Sequence, residues 1–361
     1  MTHHPALRAR IQDFDPDYHP AQLKHLGSMT GPWEPEIPAA NTRLLTIQFS
    51  DAVIVGAALL TARSAAAYVK IAGLLARDAA TREDTIRAVL DYARGQDLAC
   101  VKWEIWTQDP RLAALAERTG FQALPAPRCA AQASVSTPPA GYVHWMHPAS
   151  YLRTAHYQQS ENFTCAAVAA LAAHEETTSI AVLDQLRTAE LLLWRQATNF
   201  MACEPVGLGL AIAERWPASS VRVSLDTDKP VMVDYYPEAE RGWRGILQAE
   251  SHRRAKVTGL PVTATRLAIS EIKEAVANGD RVLLLVSLKQ MLGYDVPHWI
   301  LCHGTAGSKE HAVIIIDDSW IDADSGESWV DATCLPITGQ ELDAMSCLET
   351  DGYRAALILA N

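Results

Sequence analysis

The sequence lacks an apolar stretch long enough to span a bilayer, and its first residues, M-T-H-H-P-A-L-R-A-R, lack the apolar core of a secretory signal. It is also short of positive charge: 31 Lys and Arg stand against 42 Asp and Glu, so the formal net charge is −11. The basic run H-R-R-A-K at 252–256 is too small for a phosphate backbone, which requires larger basic clusters. We therefore expect a cytoplasmic protein with no membrane or nucleic-acid partner.

The cysteines and histidines lack the spacings of a disulfide scaffold or a metal site. Seven cysteines are scattered without a CxxC pair, and an odd number of them suits a reducing compartment. Twelve histidines show no H-E-x-x-H or comparable spacing. The sequence therefore predicts neither a disulfide framework nor a metal ion.

The length of 361 residues predicts two domains of ordinary size, each able to bury its own core. Residues 125–142 are rich in Pro, Ala and Ser and have no periodicity, which is typical of a linker or an extended crossing segment. We place the division there, with one domain at 1–140 and the other at 141–361.

The first domain has a mixed pattern of strands and helices. The predicted elements are strands at 43–49, 52–61 and 67–75, a helix at 82–94, a strand at 101–106 and a helix at 110–118. This order, together with L-A-E-R-T-G-F-Q at 115–122, resembles the acyl-CoA N-acetyltransferase (GNAT) fold. The resemblance implies a mixed α/β domain.

The segment that would hold acetyl-CoA in such a fold does not have the required residues. The family binds the CoA pyrophosphate with a Q/R-x-x-G-x-G/A loop, whose backbone N–H groups approach the phosphates closely. Here the stretch reads A-R-D-A-A-T-R-E-D-T at 76–85, with no glycine and with three carboxylates. Thr81 and Asp84 have the spacing of a helix capping box instead. We expect a GNAT-like domain that does not bind acetyl-CoA, and no cofactor.

The second domain opens with the most informative segment, H-Y-Q-Q-S-E-N-F-T-C-A-A-V at 156–168. Cys165 begins an Ala-rich run of helical character, and the N-terminus of a helix favours a thiolate. Gln159, six residues earlier, has a side-chain amide that can donate to an oxyanion. The alternative is a buried structural cysteine, since free cysteines are among the most buried residues.

A hairpin downstream supplies a histidine and a carboxylate. In V-P-H-W-I-L-C-H-G-T-A-G-S-K-E-H-A-V-I-I-I-D-D-S-W, at 296–320, two apolar runs flank a polar stretch that contains glycine. A turn centred on 306–308 places His298 opposite Asp317, at a Cβ separation of roughly 5 Å. Asp318 then points to the other face, and a one-residue slip of register would exchange the two aspartates.

Other histidines and cysteines compete for these roles. His303 and His311 fall near the predicted turn, where no carboxylate lies opposite them. Cys302 lies within a strand as a small apolar residue, and Cys203 has no glutamine at a suitable distance before it. We interpret both cysteines as structural.

From about Pro148 onward the sequence resembles the peptidase domains of bacteriocin exporters, which cut after double-glycine leaders. It is closer still to a soluble bacterial branch of the same papain-like clan, to which the segments 190–200 and 205–215 are also similar. The resemblance implies an α+β fold in which helices come first and an antiparallel sheet follows.

The same resemblance implies a role for each candidate residue. Cys165 is the expected nucleophile, His298 the general base, Asp317 the residue that orients it, and Gln159 the oxyanion donor. Ala166 departs from the pattern, because such domains usually carry Gly after the cysteine.

These observations favour a cysteine-dependent enzyme that hydrolyses a peptide or small amide through an acyl thioester on Cys165. Transfer of the acyl group to an amine, in peptide or natural-product biosynthesis, uses the same residues and is the first alternative. A non-catalytic binding protein is the second. The expected partner is a peptide or a small substrate linked to an acyl carrier, and the sequence does not determine the oligomeric state.

Overall fold

The computed structural model describes residues 7–27, 33, 42–49, 53–107, 109–128, 137–198, 201–308 and 312–360. The chain divides into two compact units. The first contains residues 1–126, 135–148 and 322–331, and the second contains residues 127–134, 149–321 and 332–361. A segment from near the C-terminus therefore belongs to the first unit, which no sequence pattern indicated.

The first unit is built on one sheet. Its elements are β1 (Arg8–Asp13), α1 (His19–Leu23), β2 (Arg43–Gln48), β3 (Ile54–Thr61), β4 (Tyr68–Ala76), α2 (Ala79–Gly95), β5 (Cys100–Ile105), α3 (Pro110–Arg118), β6 (Gln122–Ala123) and β7 (Ala140–Trp145). The strand order is β1-β2-β3-β4-β5-β7-β6, with β4 and β5 parallel. The predicted order of elements from 43 to 118 is confirmed.

The N-terminus of α2 is occupied by side chains of the chain itself. Asp78 accepts a hydrogen bond from the N–H of Thr81 at 2.8 Å, and the Thr81 hydroxyl accepts one from the N–H of Asp78 at 3.1 Å. The N–H of Thr81 is the main cause that lowers the pKa of Asp78. The predicted capping box of Thr81 and Asp84 is therefore wrong: the helix begins three residues earlier than predicted, so the box is formed by Asp78 and Thr81.

Four charged residues are buried together on one face of this sheet. Lys70 and Lys102 are directly opposite each other on β4 and β5. Lys70 Nζ contacts Glu104 Oε2 at 2.9 Å and also pairs with Asp331, whereas Lys102 Nζ donates to the Val330 carbonyl at 2.9 Å. Burial opposes the charge on Lys70, but Asp331 and Glu104 outweigh it and raise its pKa. The segment 322–331 thus supplies a counter-charge that the two lysines require.

The second unit begins with helices and continues into a second sheet. Its elements are β8 (Ala149–Tyr151), α4 (Cys165–Ala173), α5 (Glu176–Ser179), α6 (Leu183–Ala197), α7 (Pro205–Arg215), β9 (Ser220–Leu225), α8 (Glu238–Thr258), β10 (Val262–Thr263), α9 (Ile269–Ala277), β11 (Arg281–Ser287), α10 (Lys289–Leu292), β12 (Pro297–Ala306), β13 (Val313–Asp317), α11 (Trp329–Ala332, most of which belongs to the first unit), β14 (Leu335–Ile337), α12 (Gly339–Met345) and β15 (Ala355–Ala360).

The sheet of this unit has the strand order β10-β9-β15-β11-β12-β13-β14, and β8 pairs with β12. All but the β9–β10 pair are antiparallel. The predicted α+β class, with helices before an antiparallel sheet, is confirmed. In the part of the chain that the structure describes, no helix is both long and apolar enough to cross a membrane.

Helix α4 is the centre of the core of the second unit. All nine of its residues are buried, and six of them are alanines, which favour helix and allow close packing. The helix shares a core cluster with Leu285 of β11 and with Trp299 and Leu301 of β12. This packing fixes the start of the helix, at Cys165, against the start of β12.

The β12–β13 hairpin differs from the predicted register. Asp317 pairs with Leu301, and His298 pairs instead with Val286 of β11. Strand β12 continues beyond its apolar run as far as Ala306, which pairs with Val313, and a β-bulge between Cys302 and Gly304 changes the register by one residue. The prediction that His298 lies opposite Asp317 is wrong for this reason.

Candidate active site

Cys165 is the first residue of α4, with Thr164 as the N-cap. Its side chain is buried, with 7% of the residue exposed, and its Sγ accepts a hydrogen bond from the Trp299 N–H at 3.5 Å. The N–H groups of the first helical turn have no partner within the helix, so they favour negative charge at this position. The position of the thiol at a helix start is as the sequence predicted.

His298, on β12, is hydrogen-bonded both to the Cys165 side chain and to Asp318. Its Nε2 lies 2.7 Å from Asp318 Oδ1, which leaves Nδ1 for the thiol. Burial disfavours a charged imidazole, but the Asp318 carboxylate and the Cys165 side chain outweigh it and raise the pKa of His298 to about 10. A protonated imidazole is therefore held between a carboxylate and a sulfur.

Asp318 occupies the position that the sequence assigned to Asp317. It follows the end of β13, where the chain turns, and its Oδ1 also accepts the Trp320 N–H at 2.8 Å. Its own backbone is fixed from both sides: its N–H donates to the Ala332 carbonyl at 2.9 Å, and His156 Nε2 donates to its carbonyl oxygen at 3.1 Å. The residue is 1% exposed.

Asp317 forms a different pair. Its Oδ1 lies 3.2 Å from His303 Nε2 and accepts the Cys334 N–H at 2.7 Å, while its Oδ2 accepts from Thr154 Oγ1 at 3.2 Å. Burial opposes ionisation of Asp317, yet His303 and the Cys334 N–H outweigh it and lower its pKa. The expectation that His303 lies near the turn without a carboxylate is therefore wrong. His311 lies outside the described residues.

Gln159 is buried, and its amide is held in one orientation. Ser319 Oγ donates to Gln159 Oε1 at 2.8 Å, and the Gln159 N–H donates to the Ser319 carbonyl at 3.1 Å. Its Nε2 donates to the Glu161 carbonyl at 2.9 Å. Because a side-chain amide has two N–H donors, one remains for a further acceptor.

Consecutive residues of one turn therefore hold both polar partners of the site: Asp318 binds His298, and Ser319 binds Gln159. Sequence reasoning missed Ser319. The signal was its position directly after the two aspartates, since a turn that carries one functional carboxylate also fixes its neighbours.

Two of the competing cysteines lie deep in the core. Cys203 is 1% exposed and Cys302 is 0% exposed, and burial raises the pKa of both thiols. The carbonyl oxygen of Cys203 accepts a hydrogen bond from Trp299 Nε1 at 3.0 Å. Cys165, in contrast, has a hydrogen-bonded histidine beside its thiol, His298.

Comparison with known proteins gives a family for the second unit. The sequence profile of the Peptidase_C39 like family matches residues 154–360. A search of curated protein sequences finds no match.

Several solved structures that are similar to part of this chain are acetyltransferases. They include an IAA acetyltransferase from Bacillus cereus (10% identity, covering 38% of this chain and 100% of that chain, TM-score 0.30). A spermidine N-acetyltransferase mutant from Vibrio cholerae shows 12% identity over 38% of this chain and 93% of its own, with a TM-score of 0.31. An acetyltransferase from Bacillus subtilis in complex with CoA shows 10% identity over 39% and 99%, with a TM-score of 0.31.

Proposed function

Because the chain belongs to the Peptidase_C39 like family, we propose that it cleaves an amide bond through an acyl thioester on Cys165. The observation that carries the proposal is the chain of contacts from Cys165 through His298 to Asp318. A thiol, an imidazole and a carboxylate in this sequence are the requirements for nucleophilic catalysis by cysteine.

In the first half of the reaction, the Cys165 thiolate attacks the substrate carbonyl carbon, and the C=O electrons move onto oxygen. The tetrahedral intermediate collapses, the C–N bond breaks, and the His298 imidazolium gives its proton to the leaving amine. In the second half, His298 takes a proton from water, the hydroxide attacks the thioester, and the acid leaves as Cys165 regains its thiolate. Each step uses groups of the second unit alone.

Two donors stabilise the oxyanion in this proposal. One is the remaining Nε2 hydrogen of Gln159, and the other is the N–H of Cys165 itself at the start of α4. A donor of this kind contributes about 10²–10³ in rate in other enzymes.

Asp318, in place of the predicted Asp317, orients the imidazole. Its hydrogen bond to Nε2 presents Nδ1 to the sulfur and stabilises the imidazolium that the first step requires. The raised pKa of His298, about 10, supports this assignment because it keeps the imidazole protonated at neutral pH.

The proposed substrate is a peptide or a small amide, and the proposed acceptor of the acyl group is water. The same thioester can pass its acyl group to an amine, because the two outcomes differ only in the acceptor that reaches it.

The proposal is tested with p-nitrophenyl acetate, an activated acyl donor, at neutral pH. Attack by Cys165 releases p-nitrophenolate and leaves an acetyl thioester, which intact mass spectrometry detects and hydroxylamine removes as the hydroxamate. We expect acetylation at Cys165, followed by slow release of acetate. Cys165→Ala should show neither the acetyl thioester nor its slow hydrolysis. Cys347, which is exposed, serves as an internal standard within each digest. Equal acetylation of Cys347 and Cys165 would contradict the proposal.

A further inference from the structure

Glu190, on α6, is a carboxylate buried to 0% exposure. Among the residues that the structure describes, no Lys, Arg or His forms an ion pair with it; the nearby Arg187 pairs with Glu161 instead. An ionised carboxylate in such a place is costly unless hydrogen bonds replace the lost water. Its contacts therefore show what the buried carboxyl group does in the fold.

Three donors satisfy Glu190. Tyr157 OH donates to Oε2 at 2.7 Å, and the Ser160 N–H donates to Oε1 at 2.8 Å. The Thr164 hydroxyl contacts two acceptors, Glu190 Oε1 and the Glu161 carbonyl, and the contact with Glu190 is the shorter one. All three donors come from the eight-residue loop 157–164.

The places of two of these donors in the sequence are decisive. Ser160 directly follows Gln159, and Thr164 directly precedes Cys165. One carboxylate oxygen therefore fixes the neighbour of the proposed oxyanion donor and the neighbour of the proposed nucleophile. Ser319 holds the same loop from the other side, through the amide and the backbone of Gln159.

We propose that Glu190 is a positioning residue that fixes the Gln159 amide relative to the Cys165 sulfur, so that both contact the same carbonyl group of the substrate. The inference rests on the proposed function of Cys165. It assigns to Glu190 no contact with the substrate: the residue acts through the loop.

The test separates positioning from simple folding by using two electrophiles. Iodoacetamide alkylates a thiolate without forming an oxyanion, whereas p-nitrophenyl acetate forms one on the way to the thioester. Loss of an aligned oxyanion donor therefore slows acetylation and leaves alkylation of Cys165 nearly unchanged. The ratio of the two second-order rate constants is the readout.

In Glu190→Met, which keeps the length of the side chain but removes both acceptors, we expect acetylation to fall about 10-fold and alkylation to change less than about threefold. Glu190→Gln should restore the ratio, because its oxygen can accept from Ser160 and Thr164 while its amide donates to Tyr157. A merely structural role would lower both rates together and leave their ratio unchanged in Glu190→Met, which would overturn the proposal.

A double-mutant cycle tests whether Glu190 acts through Gln159. We expect Gln159→Ala to slow acetylation by about 10², and the addition of Glu190→Met to cost no more than about a further threefold. Full additivity of the two losses would overturn the proposal.

Glu204→Met is the matched control. Glu204 is a buried carboxylate of the same unit that accepts from the N–H groups of Val206 and Gly207 at the start of α7. We expect it to lower the melting temperature and leave the rate ratio unchanged. If Glu190→Met does not fold, Thr164→Val, which removes one donor and retains the carboxylate, should lower the ratio in the same direction.

Failure of this inference and failure of the proposed function give different results. If Gln159→Ala changes the ratio and neither Glu190→Met nor Thr164→Val does, the positioning role is wrong and the proposed function stands. If wild type and Cys165→Ala are acetylated equally, the proposed function itself is wrong.

Discussion

The β12–β13 hairpin contributes two buried histidine–carboxylate pairs with contrasting surroundings. His298 and Asp318 lie 2.7 Å apart, next to the Cys165 thiol. His303 and Asp317 lie 3.2 Å apart, and the rings of His303 and Tyr151 form a T-shaped contact, with ring centroids 6.3 Å apart. A histidine paired with a carboxylate is therefore not in itself a catalytic site: the third partner determines what the pair can do.

The two carboxylates also have different second partners. Asp317 accepts the N–H of Cys334 and the hydroxyl of Thr154, so it links β13 to residues from distant parts of the sequence. Asp318 accepts the N–H of Trp320, within its own turn. We interpret the Asp317 pair as a clamp of the fold and the Asp318 pair as part of the proposed site.

The largest expected difference between the pairs follows from removing each imidazole. His298→Ala should slow acetylation of Cys165 by p-nitrophenyl acetate about 10³-fold, because the imidazolium that accompanies the attacking thiolate is lost. His303→Ala, measured in the folded state, should remain within about threefold of wild type, since the ring has no contact with the thiol.

Both variants are compared at a temperature well below their melting transitions, with folding checked by circular dichroism. A loss of similar size in folded His303→Ala would show that the two pairs act as one unit, contrary to the comparison.

A second and smaller difference follows from exchanging each carboxylate for an amide. Asp318→Asn should slow acetylation about 10²-fold, because the imidazolium loses its partner and the preferred ring orientation. Asp317→Asn should instead lower the free energy of unfolding by about 3 kcal/mol, because it leaves a buried histidine without its carboxylate. The measurements are p-nitrophenolate release for the first and urea unfolding for the second.

The reverse pattern, with activity lost in Asp317→Asn and stability lost in Asp318→Asn, would restore the register that the sequence first indicated. Equal effects on both quantities would remove the distinction between clamp and site.

Some residues of the site follow from local sequence and one does not. The thiol at a helix start, the glutamine before it and His298 were all predictable, because each depends on short-range spacing or on the first residues of a strand. The aspartate was not, because its identity depends on where β12 ends. The apolar run suggested an end near Cys302, whereas the strand continues to Ala306 with a bulge at His303.

Contacts between residues far apart in the chain could not be predicted from the sequence, for a related reason. From the local sequence, Glu190 is one polar position on an amphipathic helix. Only the fold brings it to the loop before Cys165. Likewise, the counter-charge for Lys70 comes from Asp331, far along the chain. Neither contact leaves a local pattern, since each depends on packing between elements remote in sequence.

The smallest expected effect concerns pH and again separates the two pairs. The raised pKa of His298, about 10, keeps its imidazole protonated well above its usual value of 6.5. The protonated imidazole is therefore present at neutral pH and is lost only as the pH rises towards 10. The ¹⁵N resonances of the His298 ring should accordingly remain those of an imidazolium between pH 7 and pH 9, whereas a free histidine with a pKa of about 6.5 is almost fully neutral by pH 8. His303→Ala should retain this behaviour, because the His303 ring does not contact the thiol, and Asp318→Asn should move the loss of the His298 proton to lower pH. A His298 ring that is already neutral at pH 8 would mean that Asp318 and Cys165 do not hold its proton, and the two histidine–carboxylate pairs would then differ in position but not in chemistry.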